Sequence, residues 1–383
     1  MAGARCAGLR ARATPPPATR SKKVFHMRIS VIIPCHNRAS LVREAVESVL
    51  AQSLPPVEII CVDDASSDGT WDVLQALSRR TEGRVRLIRH EVNQGVAGAK
   101  NTGAAAATGD WICLLDDDDL LLPNALQRLA ESQRANPWAG VLHVECWREW
   151  NLDPSTRRLI RTNRQILNGN PFTLLFHSNF LNLGGTLIRR DWWMKAGGMN
   201  PKFRTSQDYD FWLRLARMGC EFLYVPEPLY IYRLTGDNVS RGQVEKSRAR
   251  LALLEDLLRK DPRIVQIVGP AHVRSRLVSQ RLKLIHALLE TGQERQARAE
   301  LRVVWRAGIS MLPVWRLRLK LAGRGLRSPR ALRLIKTTAN LLRDRAIASV
   351  MSPASHPADL LLQKRVPSAP APAPGAAHGG ETR

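Results

Sequence analysis

The sequence predicts an α/β protein with a mainly parallel central sheet, followed by a C-terminal α-helical region. Between residues 28 and 115, apolar runs rich in β-branched residues alternate with amphipathic helical patterns. Beyond residue 240, apolar residues recur at helical spacing with Arg and Lys between them. Strands separated by helices favour a parallel sheet covered on both faces, and 383 residues suffice for two domains or one domain with extensions.

Four apolar runs in the N-terminal part are predicted as buried strands, at residues 28–34, 57–62, 85–88 and 111–115. The helical patterns between them include residues 94–108, whose many Gly and Ala residues suit a helix lying close to a backbone or a ligand. The second half is less regular, and residues 147–182 show no readable pattern. Strands are predicted there at 183–188, 222–225 and 229–232, and a helix at 208–218.

We expect four segments, residues 1–26, 27–240, 241–350 and 351–383. The first is rich in Arg, Ala and Pro and lacks the apolar centre of a secretory signal, so it is expected to be disordered. A transit peptide is the alternative that its composition allows. Met27 is the expected functional start, because the folded pattern begins directly after it. The last segment is expected to be a disordered Pro- and Ala-rich tail. No run of 18 apolar residues occurs, so no transmembrane helix is expected.

The net charge of +24 is concentrated in the C-terminal third. Residues 241–345 contain 25 Lys and Arg against 8 Asp and Glu, a local charge of +17. Solvated amphipathic helices without a partner and peripheral attachment to an anionic membrane surface are equally compatible with this pattern. Nucleic-acid binding is the weakest interpretation, because the sequence has no recognised binding module and no interleaved aromatic pattern.

Four consecutive carboxylates, residues 116–119, follow the fourth predicted strand. Such crowded negative charges are tolerated when a cation or its ligand lies among them. The carboxyl ends of strands are also where open α/β sheets bind ligands. The alternative is a solvated acidic loop that begins the next helix, where Pro123 suits the first turn.

Five motifs in a fixed order lie at predicted strand ends or helix starts. They are residues 30–37 (SVIIPCHN), 58–66 (EIICVDDAS) with 68–70 (DGT), 93–101 (NQGVAGAKN), 116–119 (DDDD) and 207–214 (QDYDFWLR). Together these motifs resemble the family 2 glycosyltransferases of the GT-A fold over residues 28–240, so segment 27–240 is the expected catalytic domain.

The resemblance implies transfer of a sugar from a nucleoside diphosphate to an acceptor hydroxyl, usually with inversion. A divalent cation would neutralise the leaving diphosphate, and oxygen ligands suit Mn²⁺ or Mg²⁺. Alignment with the family pattern Asp-x-Asp-Asp makes Asp116 and Asp118 the paired acids and Asp119 the third. Asp118 is the expected main metal and ribose contact, and Asp117 is a spacer.

The resemblance also assigns nucleotide contacts. Asp64 matches the position that hydrogen-bonds the base, although a turn or helix-capping aspartate is the alternative. Pro34 and His36 match positions that line the base and ribose, where the family commonly has an aromatic residue at the site of His36. Lys100 replaces an Arg near the nucleotide, with a plain surface lysine as the alternative. Arg233 is a candidate phosphate contact.

Asp208 matches the catalytic base, which would take the proton of the acceptor hydroxyl. Gln207 replaces the family's usual Glu, and a plain acid at a helix start is the alternative for Asp208. In many relatives a histidine follows the last strand, where this chain has Thr235. No histidine metal ligand is therefore predicted.

The sequence thus predicts a metal-dependent inverting glycosyltransferase that uses a nucleotide sugar, with a UDP-sugar expected, and builds a cell-surface polysaccharide or other glycoconjugate. The expected partners are the nucleotide-sugar donor, a glycan or lipid-linked acceptor and an anionic membrane surface. The expected location is cytoplasmic, with peripheral membrane attachment left open. The alternative is a non-catalytic protein of the same fold that binds nucleotide sugars or membranes.

Overall fold

The structure is a computed structural model that describes residues 27–161, 169–234 and 242–306. The predictions of disorder at 1–26 and 351–383, and of helices beyond residue 306, lie outside these ranges. The fold is mixed α/β with one central sheet and a helical C-terminal region, as predicted.

The N-terminal half forms the predicted parallel sheet. Its strands lie in the order β3-β2-β1-β4, and each neighbouring pair is parallel. The strands are β1 (Ile29–Cys35), β2 (Glu58–Asp63), β3 (Val85–Arg89) and β4 (Trp111–Leu114), with helices α1 (Val42–Leu50), α2 (Thr70–Arg80) and α3 (Gly95–Ala106) between them.

The second half extends this sheet with mostly antiparallel pairings. Beyond β4 the order is β8-β6-β9-β5, and β7 pairs with β6 outside this path. The strands are β5 (Leu120–Leu121), β6 (Val141–Trp150), β7 (Asp153–Ile160), β8 (Leu187–Arg189) and β9 (Phe222–Leu234). The helices are α4 (Ala125–Ala135), α5 (Phe172–His177), α6 (Arg190–Lys195) and α7 (Gln207–Arg217).

Two predictions in this half differ from the structure, and the stretch without a readable pattern contains a hairpin. Residues 147–160, which show no readable pattern, lie in the β6–β7 hairpin, and the strand predicted at 183–188 is reduced to Leu187–Arg189. The prolines at 226 and 228 do not separate two strands, because β9 continues through them. The register with β6 shifts there instead, from Val144↔Val225 to Cys146↔Tyr230. A bulge of this kind accommodates residues that cannot donate to the ladder.

The central strands are buried on both faces, which explains their uninterrupted apolar sequences. On β1, Val31 and Ile33 belong to one core cluster and Ile32 to another on the opposite face. Within residues 242–306, four helices follow the sheet: α8 (Gln243–Lys260), α9 (Ile264–Val268), α10 (Pro270–Glu290) and α11 (Glu294–Arg306). Across the described ranges, none of the helices combines the length and apolar character needed to cross a membrane.

Candidate active site

The loops after β1, β2 and β4 meet at the carboxyl edge of the parallel strands and enclose a cavity of about 340 Å³. Five of the residues predicted from the sequence line it, which is the expected consequence of parallel strands ending at one edge. These are Pro34, His36, Asp64, Asp116 and Asp118.

Asp64 is buried and held in one orientation by contacts from three elements. Its backbone N–H donates to Cys35 O at 2.8 Å, and its Oδ1 accepts from the backbone N–H of Gln94 at 2.8 Å. The same oxygen accepts from Nδ1 of His90 at 2.7 Å, and His90 Nε2 lies 2.9 Å from Thr102 Oγ1. This carboxylate is therefore pre-oriented before any ligand binds.

His36 is exposed at the cavity, where its ring is fixed by backbone and side-chain contacts. Nδ1 donates to Asp64 O at 2.8 Å, and Asn93 Nδ2 donates to the same carbonyl at 3.3 Å. The backbone N–H of His36 donates to Asp117 Oδ2 at 3.0 Å. The ring presents an accessible flat surface at the position predicted to line the base and ribose.

The four acids differ in their surroundings. Asp116 Oδ1 lies 2.6 Å from Lys100 Nζ, and Lys100 is only 2% exposed, so the interpretation of Lys100 as a plain surface lysine is wrong. Asp117 accepts from His36, and burial together with the charges of Asp118 and Asp116 raises its pKa to about 7. Asp118 Oδ2 lies 3.8 Å from Arg38 Nε.

Asp119 is buried and is not one of the residues that line the cavity. Its Oδ1 accepts from the backbone N–H of Arg233 at 2.8 Å, and burial and the charges of Asp116 and Asp118 raise its pKa well above the usual range. The buried guanidinium of Arg233 donates to Asp118 O and pairs with Glu44 of α1. Both side chains brace the acid run against β9. The metal contact of Asp119 and the phosphate contact of Arg233 stay predictions.

Within the described residues, no three His, Cys, Asp or Glu side chains converge as a complete metal site. Asp116 and Asp118 nevertheless both face the cavity. Proteins usually bind Mg²⁺ through one or two carboxylates, and substrate phosphates and water complete the coordination of the ion. The pair therefore fits a divalent cation that arrives with a diphosphate.

Asp208 lies in the first turn of α7 and does not line this cavity. Asn179 Nδ2 donates to its Oδ2 at 3.0 Å. Ser206, two residues before Asp208, has a left-handed backbone (φ 66°), an uncommon conformation for a residue other than Gly. Arg214 Nε donates to Asp210 at 2.8 Å, so Arg214 pairs with Asp210.

Residues 30–194 match the protein family described as glycosyl transferase family 2. Several similar proteins are named glycosyltransferases. An uncharacterized glycosyltransferase of Nostoc sp. is 42% identical over 117 residues, which span 30% of this chain and 36% of that protein.

Residues 30–194 belong to glycosyl transferase family 2.

Two further relatives of this family 2 region have more specific names. The succinoglycan biosynthesis protein ExoO of Rhizobium meliloti is 29% identical over 61% of this chain and 68% of its own length. A Campylobacter jejuni enzyme, named GalNAc(5)-diNAcBac-PP-undecaprenol beta-1,3-glucosyltransferase, is 39% identical over 30% of this chain and 37% of its own length. The chain thus spans between about one third and two thirds of these curated relatives.

Solved structures place the family 2 region in the GT-A fold. S. aureus TarS 1–349 in complex with UDP-GlcNAc has a TM-score of 0.55 at 15% identity, over 83% of this chain and 92% of that one. The mannosyltransferase PcManGT from Pyrobaculum calidifontis, in complex with GDP-Man and Mn²⁺, has a TM-score of 0.51 at 19% identity, over 87% of this chain and 89% of that one. At these identities the likeness establishes the fold.

Sequence reasoning missed several side chains of the family 2 site. Arg38 lines the cavity beside Asp118, and Asp117, predicted as a spacer, ties the acid run to His36. His90 directly follows β3, so its place at a strand end was a usable signal. Asn179 lies in the stretch without a readable pattern, and nothing in the sequence indicated its contact with Asp208.

Proposed function

We propose that this family 2 protein is an inverting glycosyltransferase that moves a sugar from a nucleoside-diphosphate donor, a UDP-sugar, to an acceptor hydroxyl. The observation that carries the proposal is the convergence of a fixed carboxylate, Asp64, and two further cavity-facing carboxylates, Asp116 and Asp118, at one sheet edge. The cavity therefore offers separate contacts for the two ends of a nucleotide.

On the donor side, Asp64 would accept a hydrogen bond from the base, while Pro34 and His36 line the base and ribose. Asp116 and Asp118 would hold Mn²⁺ or Mg²⁺, which as a Lewis acid neutralises charge on the diphosphate. Lys100 and Arg38 bring positive charge to the same carboxylates and would attract the anionic donor. Asp119 and Arg233 are assigned here to the support of the acid run.

On the acceptor side, Asp208 would remove the proton of the attacking hydroxyl. An inverting displacement needs a base opposite the leaving group. The hydrogen bond from Asn179 fixes one of its oxygens. The other oxygen is then the one we assign to the acceptor.

The acceptor that we propose is a lipid-linked glycan, in the synthesis of a cell-surface polysaccharide or other glycoconjugate. The names of the two relatives, one in succinoglycan biosynthesis and one acting on an undecaprenol diphosphate-linked glycan, support this choice. Peripheral attachment of the basic C-terminal region to an anionic membrane would bring the enzyme to such an acceptor.

The test is a panel of nucleotide sugars offered to the purified protein with Mn²⁺ and without it. We expect metal-dependent binding of one UDP-sugar, and its transfer to a lipid-linked acceptor. Asp118→Asn should lose both, whereas Asp72→Asn, an exposed acid on α2, should behave as the wild type. Binding without hydrolysis or transfer of any donor would instead favour the non-catalytic alternative.

A further inference from the structure

The C-terminal helices share a hydrophobic core with the helix that carries Asp208. Leu254 of α8 and Val273 of α10 belong to the same buried cluster as Phe211 and Trp212 of α7. Burial of such side chains stabilises a fixed arrangement of the helices. Across the described ranges, α8 and α10 are therefore part of the same packed body as the sheet and α7.

Polar contacts fasten α7 to these helices at both of its ends. At the N-terminal end, Arg250 Nε of α8 donates to Ser206 Oγ at 3.3 Å, next to the left-handed turn that starts α7. At the C-terminal end, Arg217 Nε donates to Asp261 Oδ2 at 2.8 Å. The C-terminal helices thus fix both the position and the axial rotation of α7.

One side chain, Arg276 of α10, lies between α7 and the short helix α5. It is only 5% exposed. Its Nε donates to Phe176 O at 2.9 Å, and its Nη2 donates to Tyr209 OH at 3.2 Å. Tyr209 OH donates in turn to Leu175 O at 2.7 Å. A buried guanidinium forms such bonds in a rigid planar arrangement, so Arg276 sets the distance between the end of α5 and the start of α7.

The two segments that Arg276 joins are those that meet at the proposed base. Asn179 follows Phe176 by three residues, and Tyr209 directly follows Asp208. The hydrogen bond from Asn179 Nδ2 to Asp208 Oδ2, 3.0 Å long, closes the same loop of contacts. A change in the spacing of α5 and α7 would therefore change the direction in which this carboxylate points.

We propose that Arg276 is a positioning residue for transfer: from the C-terminal helical region, it orients Asp208 through Tyr209 and the α5–Asn179 segment. The proposal rests on the function proposed above for Asp208. It gives the C-terminal helices a role in the reaction itself, in addition to any membrane contact.

The test compares Arg276→Gln with Arg274→Gln, an exposed arginine on the same helix. Calorimetry measures the donor affinity and the concentration of donor-binding sites. The kcat of transfer is expressed per donor-binding site, so that a smaller fraction of folded protein does not lower the measured kcat. Because misplacement by about 1 Å can cost about 100-fold, we expect Arg276→Gln to lower kcat roughly 10- to 100-fold with unchanged donor affinity. Arg274→Gln should leave both unchanged.

Two further variants keep the proposal testable if Arg276→Gln does not fold. Arg276→Lys keeps the charge but loses the fork, so it should restore part of kcat. Tyr209→Phe removes the hydroxyl between Arg276 and Leu175 with little change in volume, and should lower kcat by a smaller factor. Unchanged kcat per site in Arg276→Gln, or in Tyr209→Phe where the first does not fold, overturns the proposal.

Failure of the proposed function gives a different result. If Asp208→Asn retains transfer, Asp208 is not the base, whatever Arg276→Gln shows. If Asp208→Asn is inactive while Arg276→Gln keeps its kcat, only the positioning role is overturned.

Discussion

The two sides of the proposed active site are assembled in different ways. The nucleotide side uses the ends of neighbouring parallel strands, and all of its cavity-lining residues lie between Pro34 and Asp118. The base side joins a loop after α5, the start of α7 and two helices from beyond residue 240. The first side follows from the ends of the parallel strands, whereas the second depends on the packing of helices against each other.

This difference predicts where each side is vulnerable. Side chains on the nucleotide side contact each other across strand ends that the sheet already fixes. On the base side, the direction of one carboxylate depends on helices contributed by the C-terminal region. Substitutions of single carboxylates should therefore affect both sides strongly, but only the base side should respond to substitutions in the helices beyond residue 240.

The largest expected effect is on the nucleotide side. Asp118→Asn should lower transfer by at least ~10³-fold, because the cation it is proposed to hold supplies several kcal/mol of charge stabilisation. Metal-dependent donor binding should be lost as well, while the melting temperature stays close to that of Asp72→Asn. Transfer assays, calorimetry with Mn²⁺ and thermal unfolding measure the three quantities. Normal metal-dependent binding in Asp118→Asn would remove this residue from the proposed metal site.

Asp208→Asn should lower kcat about 100- to 1000-fold, within the range typical of a lost general base. Donor affinity should not change, because Asp208 does not line the nucleotide cavity. This split between kcat and affinity separates the two sides, since Asp118→Asn should change both. A matched loss of donor affinity in Asp208→Asn would show that the two sides are not separate.

The same contrast explains how much the sequence predicts. The parallel strands β1 to β4 and the cavity residues Asp64, Asp116 and Asp118 follow from apolar runs that end in polar residues. Arg38 gave no such signal, because its contact with Asp118 joins two loops 80 residues apart. Asn179 and Arg276 could not be predicted either, since helix packing that no short pattern encodes brings them to the base.

Acid should weaken the base side through His177 of α5. Burial, with the positive charges of His272 and Arg276, lowers the pKa of His177 to about 4. The unfolded chain, with a histidine pKa of about 6.5, binds a proton first as the pH falls, so stability is lost between pH 6.5 and 4. At pH 5 this loss amounts to about 2 kcal/mol.

His177→Leu should remove this loss, because Leu cannot be protonated and neither ring nitrogen of His177 has a hydrogen-bond partner in the described chain. Urea unfolding at pH 8 and pH 5 gives the free energies of unfolding. The wild type should lose more stability than the variant between the two pH values. Equal losses in the two proteins would show that protonation of His177 does not weaken this side.

The smallest expected effect is at Arg38, a residue on the nucleotide side that the sequence did not indicate. Its guanidinium lies 3.8 Å from Asp118 and 4.0 Å from Asp117, at the cavity, and would face the donor diphosphate. Because the side chain is partly exposed, Arg38→Gln should weaken donor binding by only about ten-fold, or about 1.4 kcal/mol. Arg43→Gln, an exposed arginine on α1, is the control for the change in net charge. Equal donor affinities in the two variants would limit the role of Arg38 to holding the acid run.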